Sequence, residues 1–182
     1  GLMAWYSADS IMADDKVLLW KNRVERDGAE SLDLKGVLET APSLVESAIG
    51  KMPAVSFDEN KHVLVSEASL EISGNSPFTM FAVINPMESM HKRTHPISFG
   101  DPTTPHSGAI FEIEQAPNTK NRLDLATGHS FDALIGEVTF GEPQIWMARF
   151  HGGKLLDSHV EISGLRRELS ADEFAAKVEL TL

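Results

Sequence analysis

The sequence predicts an all-β fold, a sandwich or jelly roll of two antiparallel sheets, on three observations. Short apolar runs recur with turn residues between them at intervals of roughly 8–12 residues, the rhythm of sheet proteins rather than of βαβ units. Several of those runs alternate apolar and polar residues with a period of two. No long amphipathic helical period occurs, which disfavours a doubly wound α/β fold.

The elements follow in chain order. Asp15 to Trp20, "DKVLLW", is the first apolar run, with a turn beyond it at Arg26-Asp27-Gly28. "PSLVESAIG" (Pro42–Gly50) predicts two helical turns ending at Gly50. "PAVSF" and "KHVLVS" flank an acidic break at Asp58-Glu59-Asn60, read as a turn, with Phe57 anchoring the core. Pro53 stands at the entrance of its strand, where a missing N–H costs little. "PFTMFAVI" (Pro77–Ile84) is apolar at both parities, as for a strand buried on two sides. In "AIFEIEQ", Ala109, Phe111 and Ile113 fall on one face, with Ile110, Glu112 and Glu114 on the other. "RLDLATG" places Leu123 and Leu125 around Asp124. "QIWMARF", His151-Gly152-Gly153-Lys154 and "LLDSHVEI" read as a hairpin. "SADEFAAK" carries a capping box, Ser170 with Glu173, for one short helix, and "KVELTL" closes the sequence as a strand.

With 182 residues, 42% hydrophobic and 24% charged, the chain can build one sizeable core, and no repeat, linker or boundary divides it. Sixteen Lys and Arg against 27 Asp and Glu give a net charge of −11. That field repels phosphate backbones and anionic lipid heads, so neither nucleic acid nor a membrane surface is an expected partner. The charge itself reads most simply as a means of solubility. The sequence has no cysteine, which removes disulfides, thiolate nucleophiles and Cys-type zinc sites without fixing the compartment. No run approaches the roughly 20 apolar residues of a membrane span. "GLMAWYSADS" lacks the basic and apolar regions of a signal peptide and reads as the inside of a longer gene product or a processed start.

Certain residues carry a family resemblance: Trp5, Ala8 and Asp9; Trp20; Pro42 and Leu44; Gly50, Pro53, Ala54, Val55, Phe57 and Asp58; and Phe78, Thr79, Phe81 and Val83. In that order they resemble the concanavalin A-like lectin/glucanase superfamily, and within it the laminin G-like domains of bacterial and phage proteins. The likeness is firm over the first half and one of rhythm over the second, where Phe150-His151-Gly152 and His159-Val160-Glu161 depart from the family's late hairpin. It implies a single concanavalin A-like jelly-roll sandwich over residues 1–182. The family's closing strand pair and C-terminal helix have no counterpart after "KVELTL", so a continuation of the chain or a partner strand is expected to cover the sheet edge.

The site residues follow from chemistry and from that resemblance. Glycoside hydrolysis needs two carboxyl groups flanking the scissile bond. Glu112 and Glu114 are two apart on a strand, lack the glucanases' further acidic residues, and read as a solvated outer face. No catalytic residue is therefore assigned. His91 and His95 have a four-residue spacing that suits zinc on a helix, but Pro96 argues for a loop, so zinc is not assigned. The long segment from Pro86 to Pro105 is the candidate ligand loop, with His91, Lys92, Arg93, His95 and His106 as its binding residues. No cofactor is required; Ca²⁺, which several relatives hold at a sheet rim, would find ligands in Asp58 and Asp101. Trp5, Trp20 and Trp146 read as core, which leaves no exposed aromatic platform for a sugar. The resemblance then implies a non-catalytic recognition module of a larger surface or virion protein, extracellular or on the virion, with glycan or protein as its partner. The alternatives are a structural phage or virion component, such as capsid decoration or tail, acting through chain–chain contacts, and a glycoside hydrolase.

Overall fold

Among the residues described in this computed structural model, twelve strands, all paired antiparallel, carry the fold. The structure describes residues 1–12, 15–25, 30–58, 61–68, 70, 72, 76–88, 93–99, 109–114, 122–127, 132–150, 159–162 and 165–168. Helical structure among them amounts to two 3₁₀ turns, Ala8–Ser10 and Leu38–Thr40. The all-β class read from the sequence is therefore the one observed. The chain divides into two units, Gly1–Ile72 and Ser73–Leu182.

Among its described residues the first unit holds four strands: β1 (Leu19–Trp20), β2 (Leu34–Lys35), β3 (Ser43–Ile49) and β4 (Met52–Ser56), paired β1–β2 and β3–β4. Of the expected strand Asp15–Trp20 only the last two residues join a ladder, and Lys16 makes an isolated bridge to Ser43. Single backbone bonds do the remaining work. The Val17 N–H donates to the Pro42 carbonyl (2.8 Å), the Gly36 N–H to Leu18 (3.0 Å), and the Val63 N–H to Thr40 (2.9 Å). Lys35 and Val65 exchange both of their bonds, at 2.8 and 2.9 Å. Val17, Leu32, Ala41 and Pro42 are the buried side chains beneath this lacing. Tyr6 and Trp20 pack edge to face with ring centroids 5.9 Å apart, and both polar ends are satisfied. The Tyr6 hydroxyl donates to the Leu32 carbonyl at 2.5 Å, and the Trp20 indole N–H to Ser7 at 3.0 Å. Half-burial, with Asp33 nearby as a second cause, raises the Tyr6 pKa above that of a free phenol. Trp5, expected in the core, is 38% exposed.

Two expectations fail in this unit. Pro42–Gly50 is not helical: Ser43–Ile49 is strand β3 of a tight hairpin. Ile49 pairs with Met52, so Gly50 and Lys51 form a two-residue turn, and Gly50 takes the positive φ of +64° that such turns require. Pairing of Leu44 with Val55 and Val45 with Ala54 outweighs the weak local helical preference of Glu46-Ser47-Ala48. Phe57 does not anchor a core. It is 49% exposed, because β4 ends at Ser56 and the chain turns away at once. On either side of Glu59 and Asn60, which lie outside the described residues, the Asp58 carbonyl accepts from the N–H groups of Lys61 and His62, and the Asp58 N–H donates to His62 Nδ1 at 2.9 Å.

The second unit is built from two four-stranded sheets. One runs β12-β11-β10-β5, with β5 (Phe78–Ile84), β10 (Gln144–Phe150), β11 (His159–Ile162) and β12 (Leu165–Glu168). The other is a meander of β6 (Arg93–Phe99), β7 (Ala109–Glu114), β8 (Arg122–Thr127) and β9 (Asp132–Glu137). The meander is inserted between β5 and β10, which pair in space, and the backbones of β9 and β11 approach each other. Burial alternates along β10 as the pleat dictates: Gln144, Trp146 and Ala148 are buried, while Ile145 and Arg149 are exposed. Trp146 is 0% exposed and donates its indole N–H to Gln144 Oε1 at 3.0 Å; the Gln144 amide in turn donates to the Thr139 carbonyl.

Strand β5 is not buried on both faces. It lies at the end of its sheet, and Thr79, Phe81 and Val83 are exposed while Phe78, Met80, Ala82 and Ile84 are half-buried. The expected hairpin after β10 is observed as pairing with β11, from Arg149–His159 to Trp146–Ile162. Its Gly-Gly turn, the capping-box helix and "KVELTL" lie outside the described residues.

Candidate functional site

The residues assigned to a ligand loop are not found as one. Arg93 and His95 belong to β6, an edge strand, so part of the expected loop is sheet. Pro96 is accommodated there by a bulge: Thr94 pairs with Ile113 and Ile97 with Phe111, leaving His95 and Pro96 opposite the single residue Glu112. An edge position and a bulge are the two settings in which a sheet tolerates proline. His95 is exposed. His91, Lys92, Asp101 and His106 lie outside the described residues. Asp58, the other calcium candidate, has Oδ2 3.0 Å from the Lys61 ammonium. Among the described residues no group of three or more His, Asp or Glu side chains is placed to hold a metal. Glu112 and Glu114 lie on β7, with Glu112 opposite Asp124 and Glu114 between Arg93 and Arg122 in register.

The site that the structure does assemble lies in the first unit, and Pro53 builds it. Val45 pairs with Ala54 and Ile49 with Met52, so three residues, Glu46, Ser47 and Ala48, face Pro53 alone. Proline has no N–H to give to the ladder, and β3 bulges where that bond is missing. The bulge throws Ser47 to φ +55°, a left-handed conformation costing an L-residue roughly 1–2 kcal/mol. Beside it is an open cleft of about 300 Å³ lined by Asp9, Leu44, Glu46, Ser47, Lys51 and Pro53, among others. The cleft's other wall is the Ala8–Ser10 turn, which packs on β4.

The cleft lining holds two carboxylates, Asp9 and Glu46, and one ammonium, Lys51, and Arg23 outside it offsets Asp9. Asp9 Oδ1 accepts from the Ser7 hydroxyl and faces Arg23 Nη1 at 3.4 Å. Glu46 and Lys51 bring one charge of each sign, both exposed, and neither enters an ion pair among the described residues. Leu44 and Pro53 supply apolar surface between them. Such a lining offers acceptors, one strong donor and a nonpolar floor, and its one excess negative charge, on Asp9, is offset by Arg23 outside the lining. Sequence reasoning named Asp9, Leu44 and Pro53 as markers of fold but did not see that they converge. The signal was the proline opposite a Glu-Ser-Ala run, legible only once the register is known.

No protein-family model, no curated protein and no solved structure matches the chain. The fold and site define the class alone: an all-β protein of small antiparallel sheets with a polar cleft at a bulged hairpin.

Proposed function

We propose that this chain is a non-catalytic recognition module of a larger surface or virion protein, built on a concanavalin A-like sandwich, and that it binds a neutral glycan in the cleft of the β3–β4 hairpin. The observation that carries this reading is the bulge opposite Pro53, which sets a left-handed Ser47 between Glu46 and Lys51. Strained residues concentrate at functional sites. A lining with acceptors, a donor and an apolar floor suits a sugar, whose hydroxyls would pair with the polar groups while its C–H face rests on Leu44 and Pro53. Two four-stranded antiparallel sheets in the second unit are compatible with the sandwich. Asp9 is engaged by Ser7 and Arg23, which leaves Glu46 as the one uncommitted carboxylate in the cleft, one fewer than glycoside hydrolysis uses.

A glycan array followed by calorimetry tests the reading. Binding of an oligosaccharide is expected to fall about tenfold or more in both Glu46→Ala and Lys51→Ala. Binding that survives both changes and is lost in Arg93→Ala or His95→Ala would return the site to the segment around β6. A structural role through chain–chain contacts is the second reading. It is favoured by the outward face of β5 and β10, where Phe81, Val83 and Ile145 are exposed and Val83 pairs with Ile145. An array with no binding, together with assembly onto a protein partner lost in Phe81→Glu, would establish that reading instead.

A further inference from the structure

The cleft offers a sugar only aliphatic contact, from Leu44 and Pro53, and the sequence alone names no exposed aromatic platform beside it. The structure supplies one a few residues before Asp9. Trp5 is 38% exposed, whereas Trp146 is fully enclosed and the Trp20 indole N–H is committed to the Ser7 carbonyl. Tryptophan is highly buried on average, so an exposed one in an ordered segment calls for a reason. The segment is ordered. The Trp5 N–H donates to Asn22 Oδ1 at 2.8 Å, and the Trp5 carbonyl accepts from the Arg23 N–H at 2.9 Å. Asn22 Nδ2 donates to the carbonyls of Met3, at 3.4 Å, and Val24, at 3.1 Å, which clamps the two stretches together. The next residue, Tyr6, takes the inward position, with its ring against Trp20 and its hydroxyl on Leu32. Trp5 is thus exposed on a backbone bonded at both of its polar groups.

Arg23 joins this residue to the cleft. Its backbone N–H holds Trp5, and its guanidinium Nη1 lies 3.4 Å from Oδ1 of Asp9, which lines the cleft. Only Tyr6, Ser7 and Ala8 separate Trp5 from Asp9, so the two are at most about 14 Å apart. The Arg23 side chain is 49% exposed and brings further N–H donors to the surface beside both. We propose that Trp5 and Arg23 form a second sugar subsite continuous with the cleft, so that the chain binds an extended oligosaccharide rather than a terminal monosaccharide. The inference rests on the glycan reading of the cleft. A pyranose presents an apolar C–H face and a rim of hydroxyls. Trp5 offers that face a large, rigid surface that only two side-chain torsions must hold, and the guanidinium donates to hydroxyls at its edge. An anionic ligand gains little there, because the guanidinium already faces the Asp9 carboxylate. A neutral sugar needs no net charge.

Calorimetry of the full chain tests this with length series, monosaccharide to hexasaccharide, built on glucose, mannose and N-acetylglucosamine. In a series that binds, affinity is expected to climb with length until both subsites are filled. Trp5→Ala should remove that climb. The longest member should lose about tenfold in affinity, while the shortest member that binds stays within about twofold of the parent. Trp5→Phe keeps a ring and should restore most of the gain. Binding of the longest member should also change the tryptophan fluorescence, and that change should vanish in Trp5→Phe, where Trp20 and Trp146 remain. An affinity independent of length, or a climb unaltered in Trp5→Ala, overturns the subsite; dependence on Glu46 and Lys51 in the same experiment keeps the cleft reading in place. No binding in any series, or binding indifferent to both Glu46→Ala and Lys51→Ala, brings down the two together. Should Trp5→Ala lose its far-UV circular dichroism, the fluorescence of Trp5→Phe against the parent decides.

Discussion

The two units solve the same problem by different means. In Ser73–Leu182 each sheet is a four-strand ladder, and among the described residues a large side chain, Trp146, is enclosed with its indole N–H satisfied. Among the described residues of Gly1–Ile72 two of the four strands are only two residues long, and the fully buried side chains are small or medium: Val17, Leu32, Ala41 and Pro42. There the order comes from single bonds between distant segments. Asn22 Oδ1, for example, accepts from the Trp5 N–H at 2.8 Å and the Val24 N–H at 3.2 Å, while its own N–H donates to Asp33. A ladder distributes its stability over many equivalent bonds. A laced unit concentrates it at a few residues and leaves its surface free to carry a cleft and an exposed tryptophan.

The sharpest test of this contrast is Trp146→Ala. It removes the largest enclosed side chain and leaves Gln144 Oε1 without its donor, so a loss of about 3–5 kcal/mol is expected. Urea denaturation followed by far-UV circular dichroism would measure it, with the fluorescence of the remaining Trp5 and Trp20 reporting the first unit separately. A loss below about 1.5 kcal/mol would mean that the second unit is not organised around this residue.

How much of this was legible in the sequence depended on whether local pattern or pairing decided the outcome. Strands β7 and β8 were readable because their periodicity is their structure, and β5 and β10 because each is a short apolar run bounded by turn residues. Residues 42–50 were misread because short apolar spacing fits helix and strand alike, and only Leu44–Val55 and Val45–Ala54 choose between them. Pro96 suggested a loop, since nothing local announces that β6 is an edge with a bulge. The outer face of β5 looked like core because Phe81 and Val83 are apolar; exposure is a property of sheet order, which composition does not contain. The cleft was illegible for the same reason: Asp9 and Ser47 meet only through the fold.

Gly36→Ala probes the lacing directly. The new methyl would lie 2.9 Å from Leu64 Cδ2 and 3.2 Å from the Val17 carbonyl. Leu64 is a flexible end and can yield. Val17 cannot, because its own N–H is bonded to Pro42 and the neighbouring Leu18 carbonyl accepts from Gly36. An intermediate loss of about 1–2 kcal/mol is expected by urea titration of Gly36→Ala in a Trp146→Phe background, where the fluorescence comes from Trp5 and Trp20 alone. No loss at all would show that the lacing adapts and that the contrast with the ladder is one of appearance.

The smallest effect falls on the bulge, and its sign carries the information. Ser47 holds φ +55°, where glycine is at ease, so Ser47→Gly relieves about 1 kcal/mol of native strain. Glycine also enlarges the unfolded ensemble, which takes back about 0.4–1 kcal/mol. The net change by thermal or urea denaturation should thus lie between zero and about 0.5 kcal/mol in favour of the variant. Ser47→Ala keeps the strain and removes only the hydroxyl, so it should leave stability near that of the parent. Comparing the two in the glycan assay separates the roles of shape and hydroxyl. Equal loss of binding in both points to a contact with Ser47 Oγ, whereas loss in Ser47→Gly alone means that the held conformation of the bulge presents Glu46 and Lys51. If Ser47→Gly destabilises the unit by more than about 1 kcal/mol, the left-handed residue is fixed by contacts that the open cleft does not account for.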